Sequence, residues 1–398
     1  MSRPDVLVYI DWFSPGFRAG GPIRSMLNLA EQLAPFVRFN IITRDRDYLS
    51  DSAYPDIQTN TWLDFGEKHR IHYVSPERCD FKGLKSAGHE VSYSKVYING
   101  FLSPRFSILP LFIHRDERDK VILAPRGMLR SSATSLKPLK KSLFYIFSKL
   151  FDLHKGIRFH ATDEQELEDI KLRFPRAHVR MSPNLSRPMT EFCQSRKELG
   201  SLKIVFIGRV APEKNLLFAL KALNKVTEGK IYFQSYGAVY DQGYWKSCQD
   251  LSSKLPENVK HTHSDNLHPE EVIHILQGHD LLFLPTLGEN FGHVILESFM
   301  ASRPVLISDQ TPWRNLEIKS AGTELSLNDP KAFREYLAAL LMMSEEEHQK
   351  LCEGAYKVAK SFCEDERLLT EAKALFLDRR IEPTYPDSII PLIDLVAD

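Results

Sequence analysis

Short apolar runs of strand length alternate with amphipathic stretches along nearly the whole chain. In the first half the strand pattern falls at residues 5–11 (DVLVYID), 37–43, 70–75, 95–99, 120–125, 157–161 and 178–182. Helical periodicity lies between them, as at 22–34 and at 163–173, where Thr162 is the expected N-cap. The pattern then restarts, with strands expected at 203–207, 230–236, 258–262, 280–284 and 304–308 and helices at 213–226, 243–254, 268–277, 291–302 and 331–342. Continuous apolar strands separated by helices indicate parallel sheets covered on both faces. Two such series predict an α/β protein of two doubly wound, Rossmann-like domains. The polar, proline-containing stretch 183–201 marks the boundary, giving expected domains at 1–185 and 186–365, with 366–398 a C-terminal helix and tail that packs back on the first domain.

Composition narrows the partners. The chain has 398 residues, and Lys plus Arg equals Asp plus Glu at 52 each, so no global charge draws it to nucleic acid, which is not an expected partner. Five scattered cysteines, Cys79, Cys193, Cys248, Cys352 and Cys363, form no C-x-x-C pair and fit no zinc spacing. The odd number suits a reducing compartment. The N-terminus enters a strand-like run directly, and no stretch approaches the ~18 apolar residues of a membrane span. The expected location is the cytoplasm, at most on a membrane surface.

In open parallel sheets ligands bind beyond the carboxyl ends of the strands, and that is where the unusual residues fall. Strand 203–207 runs into GRVAPEKN, which places Arg209 and Lys214 beside a helix start. Backbone N–H groups, the helix dipole and two cations converge there on a site for an anion, although two solvated loop charges would read the same way. Strand 280–284 runs into PTLGENFGHVILESF, with Glu289 and Glu297 eight positions apart and a helix expected to begin near Phe291. Eight helical steps span ~12 Å, the separation of a ribose and a sugar on either side of a diphosphate. A capping Glu289 and a solvent-facing Glu297 are the bland alternative.

Taken together, GRVAPEKN and PTLGENFGHVILESFMASRPVLIS resemble the donor-binding half of the family-4-type retaining glycosyltransferases, glycosyl transferases group 1. FRAGGPIRS near the N-terminus looks like the family's glycine-rich loop. APRGML (124–129), FHATDEQE (159–166) and SPN (182–184) look like its acceptor-domain segments. The resemblance covers residues 5–365 and implies the GT-B fold, two Rossmann-like domains facing across a cleft. It also implies roles. Arg209 and Lys214 would neutralise the departing diphosphate, and Glu289 would bind the transferred sugar. Asn290, Phe291 and Gly292 would hold its other hydroxyls and the phosphate, and Glu297 would bind the ribose. Gly20 and Gly21 would let the backbone approach the diphosphate closely. Many relatives carry a histidine in the first-domain loops near the reacting carbon. Here the comparable positions are Asn99 and Arg126, acceptor-side candidates that supply no general base.

Other signals carry less. Asp45 and Asp47 form an Asp-x-Asp pair, read as part of a solvated loop rather than a metal site, so no metal or cofactor is expected. His261 and His263 alternate on a strand near the expected base site. Asp11 and His114 remain unplaced as bases. Residues 136–151, with four lysines among aromatics, read either as a core helix or as a helix lying on an anionic membrane. The expected function is a retaining transfer of a sugar from a nucleotide-diphosphate sugar to a glycan or lipid-linked saccharide acceptor, in polysaccharide or lipopolysaccharide synthesis. A nucleotide-sugar epimerase and a non-catalytic nucleotide-sugar-binding subunit are the alternatives. The second would be expected to lose the Arg/Lys pair or a motif glutamate, and all four residues are present.

Overall fold

The structure is a computed structural model that describes residues 3–129, 153–265 and 267–377. The 136–151 segment lies outside the described residues. Contacts divide the chain into two units, one running to Leu185 and resuming at Asp365, the other spanning Ser186–Glu364.

Unit one holds an eight-stranded sheet in the order β3-β4-β2-β1-β5-β6-β7-β8. Its strands are β1 (Asp5–Ile10), β2 (Arg38–Arg44), β3 (Trp62–Phe65), β4 (His69–Val74), β5 (Lys95–Asn99), β6 (Val121–Ala124), β7 (Arg158–Ala161) and β8 (His178–Met181). All pairings are parallel except β3 with β4 at one edge. The alternation signal missed β3 because its residues are only partly buried. The central strands β1, β5 and β6 are buried along almost their whole length, which is why they read as unbroken apolar runs. The covering helices are α1 (Gly21–Leu33), α2 (Phe81–His89), α3 (Leu109–Ile113) and α4 (Glu164–Arg173). Strand order reverses between β1 and β5, and α1 leaves the carboxyl end of β1 at that point. Open α/β sheets bind ligands at such a switch.

Unit two is a six-stranded, wholly parallel sheet in the order β11-β10-β9-β12-β13-β14. The strands are β9 (Ser201–Ile207), β10 (Lys230–Tyr236), β11 (Val259–Ser264), β12 (Leu281–Leu284), β13 (Val305–Ser308) and β14 (Gly322–Leu325). Its helices are α5 (Leu216–Leu223), α6 (Gln242–Ser252), α7 (Val272–Gln277), α8 (His293–Met300), α9 (Pro330–Leu341) and α10 (Glu345–Cys363), the last started by a reciprocal Ser344/Glu347 capping box. The final helix, α11 (Glu366–Leu377), belongs to unit one, where Phe376 packs edge-on against Phe39 and Tyr97.

Three local expectations need correction. The N-cap of α4 is Asp163, whose side chain accepts from Glu166 N; Thr162 instead donates its hydroxyl to Glu166 Oε2 at 2.7 Å. The expected helix 213–226 is broken: a short 3-10 turn, Pro212–Lys214, ends at Asn215 in the left-handed region (φ 62°), and α5 begins after it. The helix expected from Phe291 starts at His293, because Gly292 takes φ 78°.

Candidate functional site

The carboxyl ends of β9 and β12 lie side by side in the unit-two sheet and carry the two motifs. Beyond β9 the chain turns through Gly208 and Arg209. The neighbouring β10 is followed by Gly237 at φ 137°, where a Cβ would stand 2.2 Å from Gly208 O. Only glycine allows that approach. Val210 then bridges to Val239, which fixes the exit direction of the loop. The 3-10 turn that follows puts Lys214 over the end of β12. Its carbonyl side is stitched there: Glu213 O accepts from Leu287 N at 2.8 Å and from Thr286 Oγ1 at 3.0 Å.

The result is a direct contact between the motifs, with Lys214 Nζ 2.5 Å from Glu289 Oε1. Both side chains are largely withdrawn from water, at 18% and 11% exposure, so the pair is held rather than fluctuating in solvent. Arg209 is the looser cation: it lies 3.4 Å from Glu213 and 5.0 Å from the Tyr240 ring. Glu289 N donates to Gln310 O at 3.0 Å, which anchors the Glu289-Asn290 stretch to the loop after β13.

Phe291 is buried and its carbonyl accepts from Trp313 Nε1 at 2.7 Å. Gly292 is required where it stands, since a Cβ there would come within 2.8 Å of Ile295 Cδ1 in addition to the backbone strain of its positive φ. α8 therefore starts with no capping side chain and no acidic residue in its first turn. Glu297 is buried in α8, not turned to solvent, and its carboxylate lies 3.8 Å from Arg187. Because residues 289–292 are not helical, the ~12 Å helical span does not describe the Glu289–Glu297 separation. Arg187 was invisible to sequence reasoning: it lies in the linker stretch and belongs to no motif.

His261 and His263 share one partner, Ser235 Oγ, at 2.9 Å each. Burial holds the His261 pKa down at about 4, so that ring is neutral.

In unit one, Gly20 has φ 76° and caps α1, which begins at Gly21. The preceding loop is tied down by Asp47, whose Oδ2 accepts from Phe17 N (3.0 Å) and Arg18 N (3.2 Å). Asp45 is buried rather than solvated and accepts from Arg46 Nε at 2.8 Å. The Asp-x-Asp pair thus anchors the glycine-rich loop and its own turn, and no cluster of metal-ligating side chains occurs among the described residues. Asn99 and Arg126 are brought together at 2.6 Å. The unplaced bases are accounted for. Asp11 Oδ1 receives Arg44 Nη2 at 2.6 Å. His114 is buried 3.1 Å from the Tyr9 hydroxyl, and burial lowers its pKa to about 4.

Residues 190–358 match the family model described as "Glycosyl transferases group 1". Unit two is a group 1 glycosyltransferase domain. Both site motifs of this group 1 domain fall inside the matched segment. No curated protein matches the chain in sequence. Among solved structures it is similar to sucrose-phosphate synthase from Thermosynechococcus elongatus (TM-score 0.70, 14% identity, 94% of this chain and 98% of that one). It is also similar to HepE from Anabaena in complex with UDP-glucose (0.69, 12%, 94% and 98%). A third is WaaG, a glycosyltransferase involved in lipopolysaccharide biosynthesis (0.62, 12%, 94% and 99%). The fold of the chain is GT-B, built from two Rossmann-like α/β units. No helix among the described residues is long and apolar enough to cross a membrane.

Proposed function

We propose that the chain is a retaining glycosyltransferase that moves a sugar from a nucleotide-diphosphate sugar to a glycan or lipid-linked saccharide acceptor, and that the donor binds at the carboxyl ends of β9 and β12. The observation that carries this reading is the Lys214–Glu289 contact at 2.5 Å, a cation for a phosphate oxygen beside a carboxylate for sugar hydroxyls. Breaking the anomeric bond leaves negative charge on the diphosphate. Lys214, Arg209 and the uncapped start of α8 are fixed donors aimed at that charge, and fixed charges stabilise a leaving group without reorganising. Glu289 holds the sugar, with the backbone of Asn290, Phe291 and Gly292 beside it. Glu297, next to Arg187, accepts from the ribose hydroxyls.

Retention is the reading that the candidate bases considered among the described residues support. Asn99 and Arg126 cannot take a proton at neutral pH, Asp11 is paired with Arg44, and His114 is enclosed between tyrosines. An inverting enzyme needs a base opposite the leaving group. On a front-face route the departing diphosphate accepts the acceptor proton itself. The cations at the donor site do the work a metal does elsewhere, so transfer needs none. The enzyme acts in the cytoplasm, and a lipid-linked acceptor would bring it to the inner membrane face.

HepE is described with UDP-glucose, which makes uridine donors the first to try. Incubating the protein with UDP-, GDP- and ADP-sugars and candidate glycan acceptors should release free nucleoside diphosphate only when donor and acceptor are both present. Donor conversion without acceptor would favour an epimerase.

A further inference from the structure

Arg126 sits two residues beyond β6, at the carboxyl edge of the unit-one sheet, in the left-handed region at φ 56°, with Gly127 at φ 75° after it. A side chain other than glycine, asparagine or aspartate is uncommon there, and such backbone persists only where its surroundings enforce it. The enforcing group is Glu166. This wholly buried carboxylate accepts from Gly127 N (2.6 Å), Thr162 N (2.8 Å) and Thr162 Oγ1 (2.7 Å). Its acceptor capacity is used on the 126–127 turn and on its own helix start.

The guanidinium itself touches only neutral groups. Nε donates to Asn99 Oδ1 (2.6 Å), Nη1 to Asn184 Oδ1 (2.8 Å) and Nη2 to the Tyr97 hydroxyl (2.7 Å). The chain of protons continues in one direction. The Tyr97 hydroxyl donates to His160 Nδ1 (2.8 Å), and His160 Nε2 donates to Ser182 O (2.7 Å). That assignment requires a neutral imidazole, and burial with Arg126 nearby lowers the His160 pKa to about 3. Burial likewise pushes the Tyr97 phenol up to about 12. No member of this ring offsets the arginine's charge, and no carboxylate pairs with Arg126 among the described residues. A guanidinium has five N–H groups. After three bonds one remains on each terminal nitrogen, the pair that a carboxylate or phosphate accepts in fork geometry.

The ring also lies where a ligand would. Tyr97 and Asn99 point to one face of β5, the strand that flanks the switch point, and Asn99 Nδ2 donates onward to Pro22 O in the first turn of α1 at 3.3 Å. A half-buried, strained arginine whose guanidinium bonds only to oriented, neutral partners, with the Glu166 carboxylate spent on the backbone beside it, is a poor device for stability alone. We infer that Arg126 binds an acidic group, phosphate or carboxylate, carried by the acceptor. The word acceptor rests on the glycosyl-transfer reading; the anion site does not.

The test uses the full chain and inorganic phosphate as probe. Phosphate is titrated into arginine-15N-labelled Lys214→Ala protein, which removes the cation at the unit-two site, while the Nε–H resonances are followed; Arg126→Gln assigns the signal. The expected result is a saturable shift of the Arg126 resonance and at least about tenfold weaker phosphate binding in Arg126→Gln, with Arg126→Lys between the two. Nucleoside diphosphate binding, measured on protein with Lys214 intact, should be the same with and without Arg126→Gln. An Arg126 resonance indifferent to phosphate overturns the inference, and because it is read without altering Arg126 it does not depend on the folding of an Arg126 variant. Equal loss of phosphate and nucleoside diphosphate would make Arg126 a donor contact and overturn the acceptor assignment. Phosphate binding at Arg126 with no nucleotide bound anywhere would leave the anion site standing and sink the glycosyl-transfer reading instead.

Discussion

Lys214 Nζ meets Glu289 Oε1 at 2.5 Å, joining two loops whose residues are 75 positions apart in the chain. The contact exists because β9 and β12 are neighbours in the sheet although three helices and two strands separate them in sequence. On the proposed mechanism, removing the cation should therefore do two things: withdraw positive charge from the leaving diphosphate and release the carboxylate assigned to the sugar. Lys214→Ala is expected to lower turnover by at least ~100-fold, the usual scale for one preorganised charge-stabilising contact. Arg209→Ala, at a more exposed cation, should fall in the same direction. Arg209 is the more exposed, so its loss should change the melting temperature little, whereas Lys214→Ala strands the largely buried Glu289 carboxylate and should lower it without unfolding the protein. Steady-state kinetics on folded variants decide this, and near-normal turnover in either would remove that residue from the site.

Much of this was legible in the sequence. The buried central strands announced themselves as apolar runs because both faces of each sheet are covered. The GRVAPEKN and GENFG segments pointed to two strand ends that the sheet brings side by side. What the sequence hid depends on long-range geometry. Arg187 reaches Glu297 from a stretch with no motif, and Asn184 reaches Arg126 only because β8 lies beside β7. The broken helix start at Asn215 was hidden by ordinary helical residues on both sides of a single left-handed position. Asp45 was misjudged because a charged string reads as solvated, whereas here Arg46 folds over its own neighbour.

Gly292→Ala should damage the site without touching any of its polar side chains. The substitution puts alanine at a positive φ with its Cβ against the end of the Ile295 side chain, so the strain falls on the backbone at the start of α8. Strain of this kind costs about 1–3 kcal/mol. Donor binding should weaken while the core of unit two remains folded, which isothermal titration beside circular dichroism would register. Unchanged donor affinity would mean the helix start does not contact the diphosphate.

Acid should weaken unit one more steeply than unit two. In unit one, burial lowers the pKa of His72 and His114 to about 4, of His154 and His160 to about 3, and that of His69 in the same direction; in unit two His261 and His348 fall to about 4, and burial lowers His263 and His279 as well. A histidine depressed in the folded state contributes stability that is complete above its unfolded pKa, near 6.5, and is lost as pH falls toward the folded value. Between those limits each such group costs up to about 1.4 kcal/mol per pH unit. Hydrogen exchange at pH 7 and pH 5 should show unit-one amides losing more protection. Equal loss in both units would contradict the assignment of these rings as neutral and enclosed.

Transfer should proceed in EDTA at its full rate. The motivating geometry is that Asp47 is committed to Phe17 N and Arg18 N, and Asp45 to Arg46. A loss of activity on chelation, restored by magnesium or manganese, would return these two carboxylates to consideration.

The most direct test of the account is nucleotide binding at the Lys214–Glu289 pair, read as thermal stabilisation by UDP, GDP, ADP and their sugars. A ligand at 100 times its dissociation constant stabilises by about 2.7 kcal/mol. The account predicts that at least one nucleoside diphosphate and its sugar stabilise the wild-type protein by that order, and that Lys214→Ala at the same ligand concentration loses most of the effect. A panel in which no nucleotide stabilises the protein, or in which Lys214→Ala responds as the wild type does, would contradict it.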